Sequence, residues 1–543
     1  MKYPGQVLSR ALLWTKRQGN DGERMKPLPQ SWRSWVWCSI VGLAAVHLDL
    51  RAQETNTQPE IDVILWFDTE DYLLPADDDA AMRLAQMLSE RNIRATFKLV
   101  GEKARVLEQR GRGDVIAALK RHDIGYHANF HSVHPTPSEY LAECGLLDGI
   151  GEFVRREGRG AADVRRIFAV HTLSCYGQPG SSWAAQTMAA LPQIGVAPDG
   201  VPCYVDEGTH IGLHGKPFWY AGALVVYDMA PNYTRMELHD PAAVEPAKRK
   251  FTAIADRLRS QEGGGLISIF YHPCEWVHRE FWDGVNFRRG ANPPREQWKR
   301  PPQRASAETE AAFRRFAEYI DHIRSTAGVR FVTANELPAL YPDPVRVTGA
   351  TEADLQHISA RLLRPENVGI DFLVLDGQAY SAADQFELLT LAVSKLIVGD
   401  HIQFPLPARG VLGPDNLPPS ARTNLQVAWP AFRDATLDMG DYLRTHRRIP
   451  PRVHLGAEAV SPADFLGGLA FTLDHYHHYG ALPLTNTIPL PANLEVLPAR
   501  HVAKDTPELF GDWVIHPAGF RAPKILEVAR LQAWTLKPAI RRK

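Results

Sequence analysis

Acidic and histidine side chains occur in two short groups of the chain, each directly after an apolar run that predicts a buried strand. The groups contain three carboxylates and two imidazoles: Asp68, Glu70, Asp71, His127 and His131. If the two strands are parallel neighbours, their carboxyl ends face the same edge of a sheet. Two imidazoles and one carboxylate there would form a three-ligand metal site with open positions for water. The pattern therefore predicts metal-assisted hydrolysis, with a second carboxylate available as the base.

The spacing of the carboxylates favours one pair. Asp68 and Glu70 are two residues apart, so both side chains point to the same side of an extended backbone. Asp71 points away unless a turn begins there, and it is the alternate to Glu70. A carboxylate held beside a metal ion stays ionised and can accept a proton from water.

The histidines divide into a pair and a single residue. His127 and His131 are four residues apart, which places them on one face of a helical turn or a tight loop and suits two ligands of one ion. His272 ends the apolar run at residues 266–271. Its titration near neutral pH suits a general acid that protonates an amine leaving group. The alternative is a packed, hydrogen-bonded histidine.

Short apolar runs alternate with amphipathic helical patterns over the first two thirds of the chain. The strand-like runs are residues 61–67, 95–100, 124–127, 167–170, 224–227, 266–271 and 329–333. Alternation of this kind predicts an α/β fold with parallel strands and helical crossovers. Seven units predict a distorted or incomplete (β/α)7 barrel, whose chemistry would lie at the carboxyl ends of the strands.

The alternation stops near residues 341–344, and the rest of the chain shows helical runs joined by proline-rich loops. The predicted domains are a barrel at residues 57–342 and a smaller, mainly helical domain at residues 345–530.

The N-terminus resembles an export signal. Lys26 and Arg33 precede an apolar segment at residues 34–48, and Ala52 offers a small residue for cleavage. Residues 1–52 are therefore predicted to be a signal peptide, with Met25 as an alternative start, and the protein is predicted to be periplasmic or secreted. The alternative is a single N-terminal membrane anchor, although the segment is short for one.

Charge and cysteine content exclude several classes of protein. The formal net charge is −1 and the pI is about 7.1, so the chain lacks the basic surplus of nucleic-acid-binding proteins. Of the five cysteines, Cys38 lies in the predicted signal, and no CxxC pair exists. Four buried free thiols are the favoured interpretation, with disulfide pairing as the alternative.

Four segments resemble the polysaccharide deacetylase family, whose members contain the NodB homology domain. Residues 62–72 are similar to its acidic first motif, and residues 95–101 to its Ala-Thr-Phe second strand. Residues 125–131 match its His-x-x-x-His motif, and residues 266–273 are similar to its late histidine motif. The acidic motif is most similar to the branch that includes peptidoglycan deacetylases and allantoinase-like hydrolases. The resemblance covers residues 57–340.

This resemblance implies one zinc or similar divalent ion in a distorted (β/α)7 barrel. It implies that Asp68 is the base and that Glu70 (or Asp71), His127 and His131 are the metal ligands. The reaction it implies is hydrolysis of an N-acetyl group, or of another amide carbon–nitrogen bond, in a glycan or other N-acylated substrate.

One family feature is missing. The family usually has an Arg-x-Pro motif after its fourth strand, which orients the catalytic aspartate, whereas residues 171–180 contain no arginine. His171 is a candidate substitute. The missing arginine motivates a second hypothesis, a glycan- or cell-wall-binding protein built on an idle barrel. A third hypothesis is a cytosolic, allantoinase-like amide hydrolase.

Two further features concern binding. Tyr72, Trp183, Tyr271 and Trp276 could stack on a sugar, or they could belong to the core, which is the commoner fate of aromatic residues. Residues 442–466 resemble pseudomurein-binding repeats, which would imply contact with a cell wall; a generic helical accessory domain is the alternative.

Overall fold

A computed structural model describes residues 61–261, 263–419, 425–485, 487–491, 494–511 and 513–542. The predicted signal peptide, with Met25 and Ala52, lies outside the described residues. The described residues belong to one compact unit. Among the described helices, none has the length and apolar character needed to cross a membrane.

The first part of the chain builds one curled sheet. Its strands are β1 Ile61–Thr69, β2 Thr96–Leu99, β3 Asp123–Tyr126, β4 Cys175–Tyr176, β5 Cys203–Val205, β6 Phe218–Tyr220, β7 Ala223–Val226, β8 Gly265–Tyr271 and β9 Val329–Val332. The spatial order is β6-β7-β5-β4-β3-β2-β1-β8, and β9 also pairs with β1. All of these pairings are parallel except that of β6 with β7. The prediction of an α/β fold with an incomplete barrel is confirmed.

Helices cover the outer face of this sheet. They are α1 Pro75–Glu90, α2 Gly101–Gln109, α3 Gly113–Leu119, α4 Pro137–Tyr140, α5 Leu146–Phe168, α6 Ala185–Ala190, α7 Val244–Arg259, α8 Trp282–Asn286, α9 Ser306–Ser325 and α10 Leu337–Leu340. One predicted strand, residues 167–170, is wrong, because Phe168 ends the long helix α5. Val164 and Phe168 are both buried at helical spacing and continue that helix's apolar face. The fourth strand instead begins at Cys175.

Alternation along the strands decides which side chains face the barrel interior. In β1, Val63, Leu65 and Phe67 pack in the core beneath the helices, whereas Ile64 and Trp66 belong to the interior cluster. Because side chains alternate between the two faces of a strand, Asp68 and Glu70 continue the interior row.

Most of the remaining helices and short strands form a second hydrophobic core. Phe510 and Ile525, in the last two helices, belong to the core of the barrel instead. The helices are α11 Pro344–Val347, α12 Glu352–Leu362, α13 Ala382–Ile397, α14 Trp429–His446, α15 Pro462–Tyr479, α16 Pro507–Gly511 and α17 Pro523–Gln532. The strands are β10 Gly369–Ile370, β11 Leu373–Leu375, β12 Gln378–Tyr380, β13 Leu425–Ala428, β14 Val453–Leu455, β15 Glu458–Val460, β16 Thr487–Leu490, β17 Glu495–Val496 and β18 Lys537–Pro538.

This part contains the same unit twice. A helix, a short hairpin and a second helix follow one another at α12–β11–β12–α13 and again at α14–β14–β15–α15. The second helix of each unit begins with a serine cap, since Ser381 and Ser461 accept hydrogen bonds from the amides of Asp384 and Asp464. The chain then returns to the barrel, where β18 pairs antiparallel with β6.

Candidate active site

Glu70, His127 and His131 meet at the carboxyl ends of β1 and β3. Glu70 Oε2 lies 2.8 Å from His131 Nε2 and 3.5 Å from His127 Nε2. All three side chains are buried. The chain between the histidines is a tight loop, with positive φ angles at Ala128 and His131. This loop turns His131 back towards the ring of His127, and the ring centroids are 5.0 Å apart.

The remaining ring nitrogens of these histidines are engaged elsewhere. His127 Nδ1 lies 3.0 Å from the carbonyl oxygen of Gly177, and His131 Nδ1 lies 2.5 Å from Ser132 Oγ. A ring that donates from Nδ1 keeps the lone pair of Nε2 available, which is the usual arrangement around a metal-binding histidine. The Nε2 atoms of both residues are buried and have no hydrogen-bond partner among the described residues.

Two imidazole nitrogens and a carboxylate oxygen suit zinc or a similar divalent cation. The three ligand atoms lie within 4.8 Å of one another. Burial acts to raise the pKa of Glu70, but the neighbouring rings of His131 and His127 hold it well below its usual value. Burial lowers the pKa of His127, which favours the neutral ring that a metal ligand requires. The residues present therefore fit a divalent cation.

Asp71, the alternate ligand, does not join this group. Its Oδ1 accepts a hydrogen bond from the amide of Leu73, and its Oδ2 lies 3.1 Å from Nδ1 of His278. A turn after Glu70 thus directs the Asp71 side chain to a different cluster.

Asp68 lies between the histidine group and a buried lysine that the sequence analysis missed. Lys98 Nζ is 2.9 Å from Asp68 Oδ1 and 2.8 Å from Asp206 Oδ2, and it also donates to the carbonyl oxygen of Val205. Burial disfavours the charged ammonium, yet the negative charges of Asp206 and Asp68 raise the pKa of Lys98. Lys98 is therefore a cation held between two carboxylates.

Two glycines clear the space that Lys98 occupies. A Cβ atom at Gly177 would overlap the Lys98 ammonium group and the Asp206 carboxylate, and one at Gly125 would overlap Cys175 Sγ. Both glycines belong to segments that flank the site, at β3 and directly after β4.

His171, the proposed substitute for the missing arginine, is exposed. The buried cation beside Asp68 comes from β2 instead.

His272 completes the site from the end of β8. Its Nε2 lies 3.7 Å from Asp68 Oδ2, and its Nδ1 lies 2.8 Å from Glu275 Oε1. Burial opposes protonation of the ring, but the hydrogen bond to Glu275 and the negative charge of Glu70 outweigh it and raise the pKa of His272 to about 9. His272 is thus protonated at neutral pH.

An open cleft with a volume of about 500 Å³ reaches these groups. Asp68, His127 and His272 line its floor, and Phe270, Tyr233 and Trp513 supply aromatic walls. The four aromatic residues proposed from the sequence are core residues instead, with at most 1% exposure: Tyr72, Trp183, Tyr271 and Trp276.

Trp513 reaches the cleft from the C-terminal part of the chain. Its indole packs edge-on against His131, with ring centroids 5.5 Å apart, and its Nε1 donates to Asp283 Oδ2 at 2.9 Å. Gly180 has a positive φ, and a Cβ atom there would overlap the indole. The C-terminal part therefore supplies one wall of the site.

The four cysteines of the described chain are free thiols, and three of them are buried: Cys175, Cys203 and Cys274. The prediction of free thiols is confirmed for these residues, but burial is not confirmed for Cys144, which is half-buried.

No protein-family model matches this sequence. No curated protein matches it either.

Several solved structures resemble part of the chain. A protein from Mycobacterium smegmatis described as a polysaccharide deacetylase is 14% identical, with a TM-score of 0.33, over 52% of this chain and 90% of its own. A family 4 acetyl xylan esterase from Clostridium thermocellum, in complex with cobalt, is 16% identical, with a TM-score of 0.26, over 51% and 90%. Puue allantoinase is 11% identical, with a TM-score of 0.34, over 53% and 93%. Similarity at this level assigns no activity to this chain.

Proposed function

We propose that this protein is a metal-dependent hydrolase of non-peptide carbon–nitrogen bonds, and that its reaction is the N-deacetylation of a polysaccharide or other glycan. The observation that carries the proposal is the position of Asp68. Its carboxylate lies on the cleft floor between His127 of the histidine group, at 3.4 Å, and His272, at 3.7 Å.

Glu70, His127 and His131 would hold the cation, most consistently zinc. When bound, a divalent cation polarises the amide carbonyl and lowers the pKa of water at the site. Asp68 then accepts the proton of the attacking water, as a carboxylate beside a cationic site can do. Lys98, 2.9 Å from Asp68 Oδ1, fixes the orientation of that carboxylate.

His272 would act as the general acid. A ring with a pKa of about 9 carries the proton that the departing amine needs. Glu275 orients the ring through Nδ1, so that Nε2 faces Asp68 and the cleft. The base and the acid thus lie 3.7 Å apart in the cleft lining, close enough to serve the attacking water and the leaving amine of one tetrahedral intermediate.

The shape of the cleft supports a glycan substrate. Its volume of about 500 Å³ is within the usual range for a small-molecule site. Its mixture of acidic, histidine and aromatic side chains offers hydrogen bonds to hydroxyl groups and flat surfaces for sugar rings.

We also propose that the protein is exported, because residues 34–48 have the composition of a signal segment. The duplicated C-terminal unit is a candidate for cell-wall contact.

The alternative of an idle, glycan-binding barrel was motivated by the missing arginine. Lys98 weakens the case for an idle barrel, because it supplies a buried cation 2.9 Å from the carboxylate that the arginine would orient. An allantoinase-like activity uses the same kinds of group and differs only in the substrate.

These candidates are separated by product analysis of the zinc-loaded protein. We expect acetate release from chitooligosaccharides or peptidoglycan fragments, and none from the same protein carrying His131→Ala. Ring opening of allantoin without acetate release would favour the cyclic-amide hydrolase. Glycan binding without hydrolysis of any of these substrates, despite bound zinc, would contradict the proposal.

A further inference from the structure

A second buried cluster of carboxylates and histidine lies beside the first. It consists of Asp71 from the loop after β1, Asp77 from the first turn of α1, and His278, which follows the 3-10 turn Pro273–Trp276. One ligand atom from each residue lies within 4.8 Å of the others. His278 Nδ1 is 3.1 Å from Asp71 Oδ2, and His278 Nε2 is 3.5 Å from Asp77 Oδ2.

Most polar side-chain atoms of this cluster lack hydrogen bonds. Asp71 Oδ2, both carboxylate oxygens of Asp77 and both ring nitrogens of His278 are buried and have no hydrogen-bond partner among the described residues. The three residues are only 1–3% exposed, so water does not solvate them from outside. Buried polar groups are rarely left in this state. In the first group, the Nε2 atoms of His127 and His131 are likewise buried without a hydrogen-bond partner among the described residues.

The neighbouring basic side chains are engaged by a different carboxylate. Lys103 Nζ lies 2.7 Å from Asp78 Oδ1, and Arg110 Nη1 lies 2.7 Å from Asp78 Oδ2. Lys103 also donates to the main-chain oxygen of Asp71, not to its side chain. Asp71 and Asp77 therefore form a buried acidic pair whose carboxylates make no ion pair with Lys103 or Arg110.

We propose that Asp71, Asp77 and His278 bind a second divalent cation. Two carboxylates and one imidazole suit zinc or manganese. A small cavity of about 110 Å³, lined in part by His239 and Cys274, reaches His278 and offers a route for the ion. The ion would tie the loop after Glu70 to the segment after His272, so its function is to fix the two chain segments that carry the first site.

The proposal is tested by counting zinc ions per chain by native mass spectrometry after zinc loading and dialysis. We expect two ions in the wild type and one in each of His131→Ala, His278→Ala and Asp77→Asn. The double variant His131→Ala/His278→Ala is expected to bind none. His239→Ala is the matched control, because His239 lines the same cavity outside the cluster, and it should keep two.

One ion in the wild type, with no further loss in Asp77→Asn or His278→Ala, would overturn the proposal. Those results would mean that His278 bridges the two carboxylates without a metal. Asp77→Asn nearly preserves shape, and circular dichroism of each variant identifies loss through misfolding. The count requires no substrate, so it decides the second site even if no hydrolysis is found.

Discussion

The ammonium group of Lys98 lies 2.9 Å from a carboxylate oxygen of Asp68, and both side chains are buried beneath the cleft. Lys98 also contacts Asp206, so one cation faces two carboxylates from different strand ends. Removing one member of such a group leaves an uncompensated buried charge, which is strongly destabilising. The contact thus connects the stability of the barrel to the position of the proposed base.

Replacing Lys98 separates these two effects. Lys98→Met should lower kcat on the order of 10²-fold, because Asp68 loses the group that positions it, while KM changes little. The same change should destabilise the fold by about 3–5 kcal/mol, as expected for breaking a buried ion pair. Kinetics and chemical denaturation measure the two effects.

The double variant Lys98→Met/Asp206→Asn is the informative control. Removing the second carboxylate should restore part of the stability, because one buried negative charge is gone. Activity should stay low, because Asp68 still lacks its cation. Recovery of both quantities together would mean that Lys98 has only a structural role.

Glu70 and Asp71 are neighbours that should behave differently. Glu70→Gln should lower hydrolysis by a factor between about 10² and 10⁴, because Glu70 contacts both histidines of the first group. Asp71→Asn should reduce it far less, since the Asp71 side chain faces His278. Steady-state acetate release by the two zinc-loaded variants compares them, and an equal loss would contradict the assignment of Glu70 as the ligand.

The pH profile reports on His272. Its pKa of about 9 means that the ring is protonated below that pH, so activity should fall as the pH rises through about 9. Glu275 stabilises the charged ring by a hydrogen bond and by its charge. In Glu275→Gln the alkaline limb of the profile for kcat/KM should therefore move to lower pH. A limb that stays in place would exclude His272 as the acid.

Trp513 should limit how substrates enter the cleft. Its indole forms one wall and packs against His131. Trp513→Ala widens the cleft, so the KM for short chitooligosaccharides should rise. The preference for short chains, measured as the ratio of kcat/KM for short to that for long chitooligosaccharides, should therefore fall. Trp534→Ala provides a comparison, because Trp534 is buried in the second core. The same change of preference in both variants would point to general loosening of the fold.

Much of the fold and of the site could be predicted from local sequence patterns. Apolar runs in β1, β2, β3 and β8 are long enough to be recognised, and proposed site residues stand at the ends of β1, β3 and β8. The strands β4 and β5 have only two and three residues, so no periodic pattern identifies them. Asp206 follows β5 and was missed for this reason.

Lys98 did carry a signal in the sequence. It is the one charged residue in the run Ala95–Val100, between Phe97 and Leu99, whose side chains pack beneath the helices. Alternation places Lys98 on the interior face, where a charge requires a partner. Asp206 could not be recognised as the partner of Lys98 from the sequence, because it reaches the site from a distant part of the chain. Trp513, the cleft wall, was missed for the same reason.

The most direct test of the account is the rate of acetate release by Asp68→Asn with its zinc content measured in the same sample. Asp79→Asn is the matched control, because Asp79 is an exposed carboxylate on α1. We predict that Asp68→Asn keeps zinc bound at Glu70, His127 and His131 but loses activity by a factor between about 10² and 10⁴, while Asp79→Asn keeps the wild-type rate. Acetate release by zinc-loaded Asp68→Asn at the wild-type rate would contradict the assignment of Asp68 as the base.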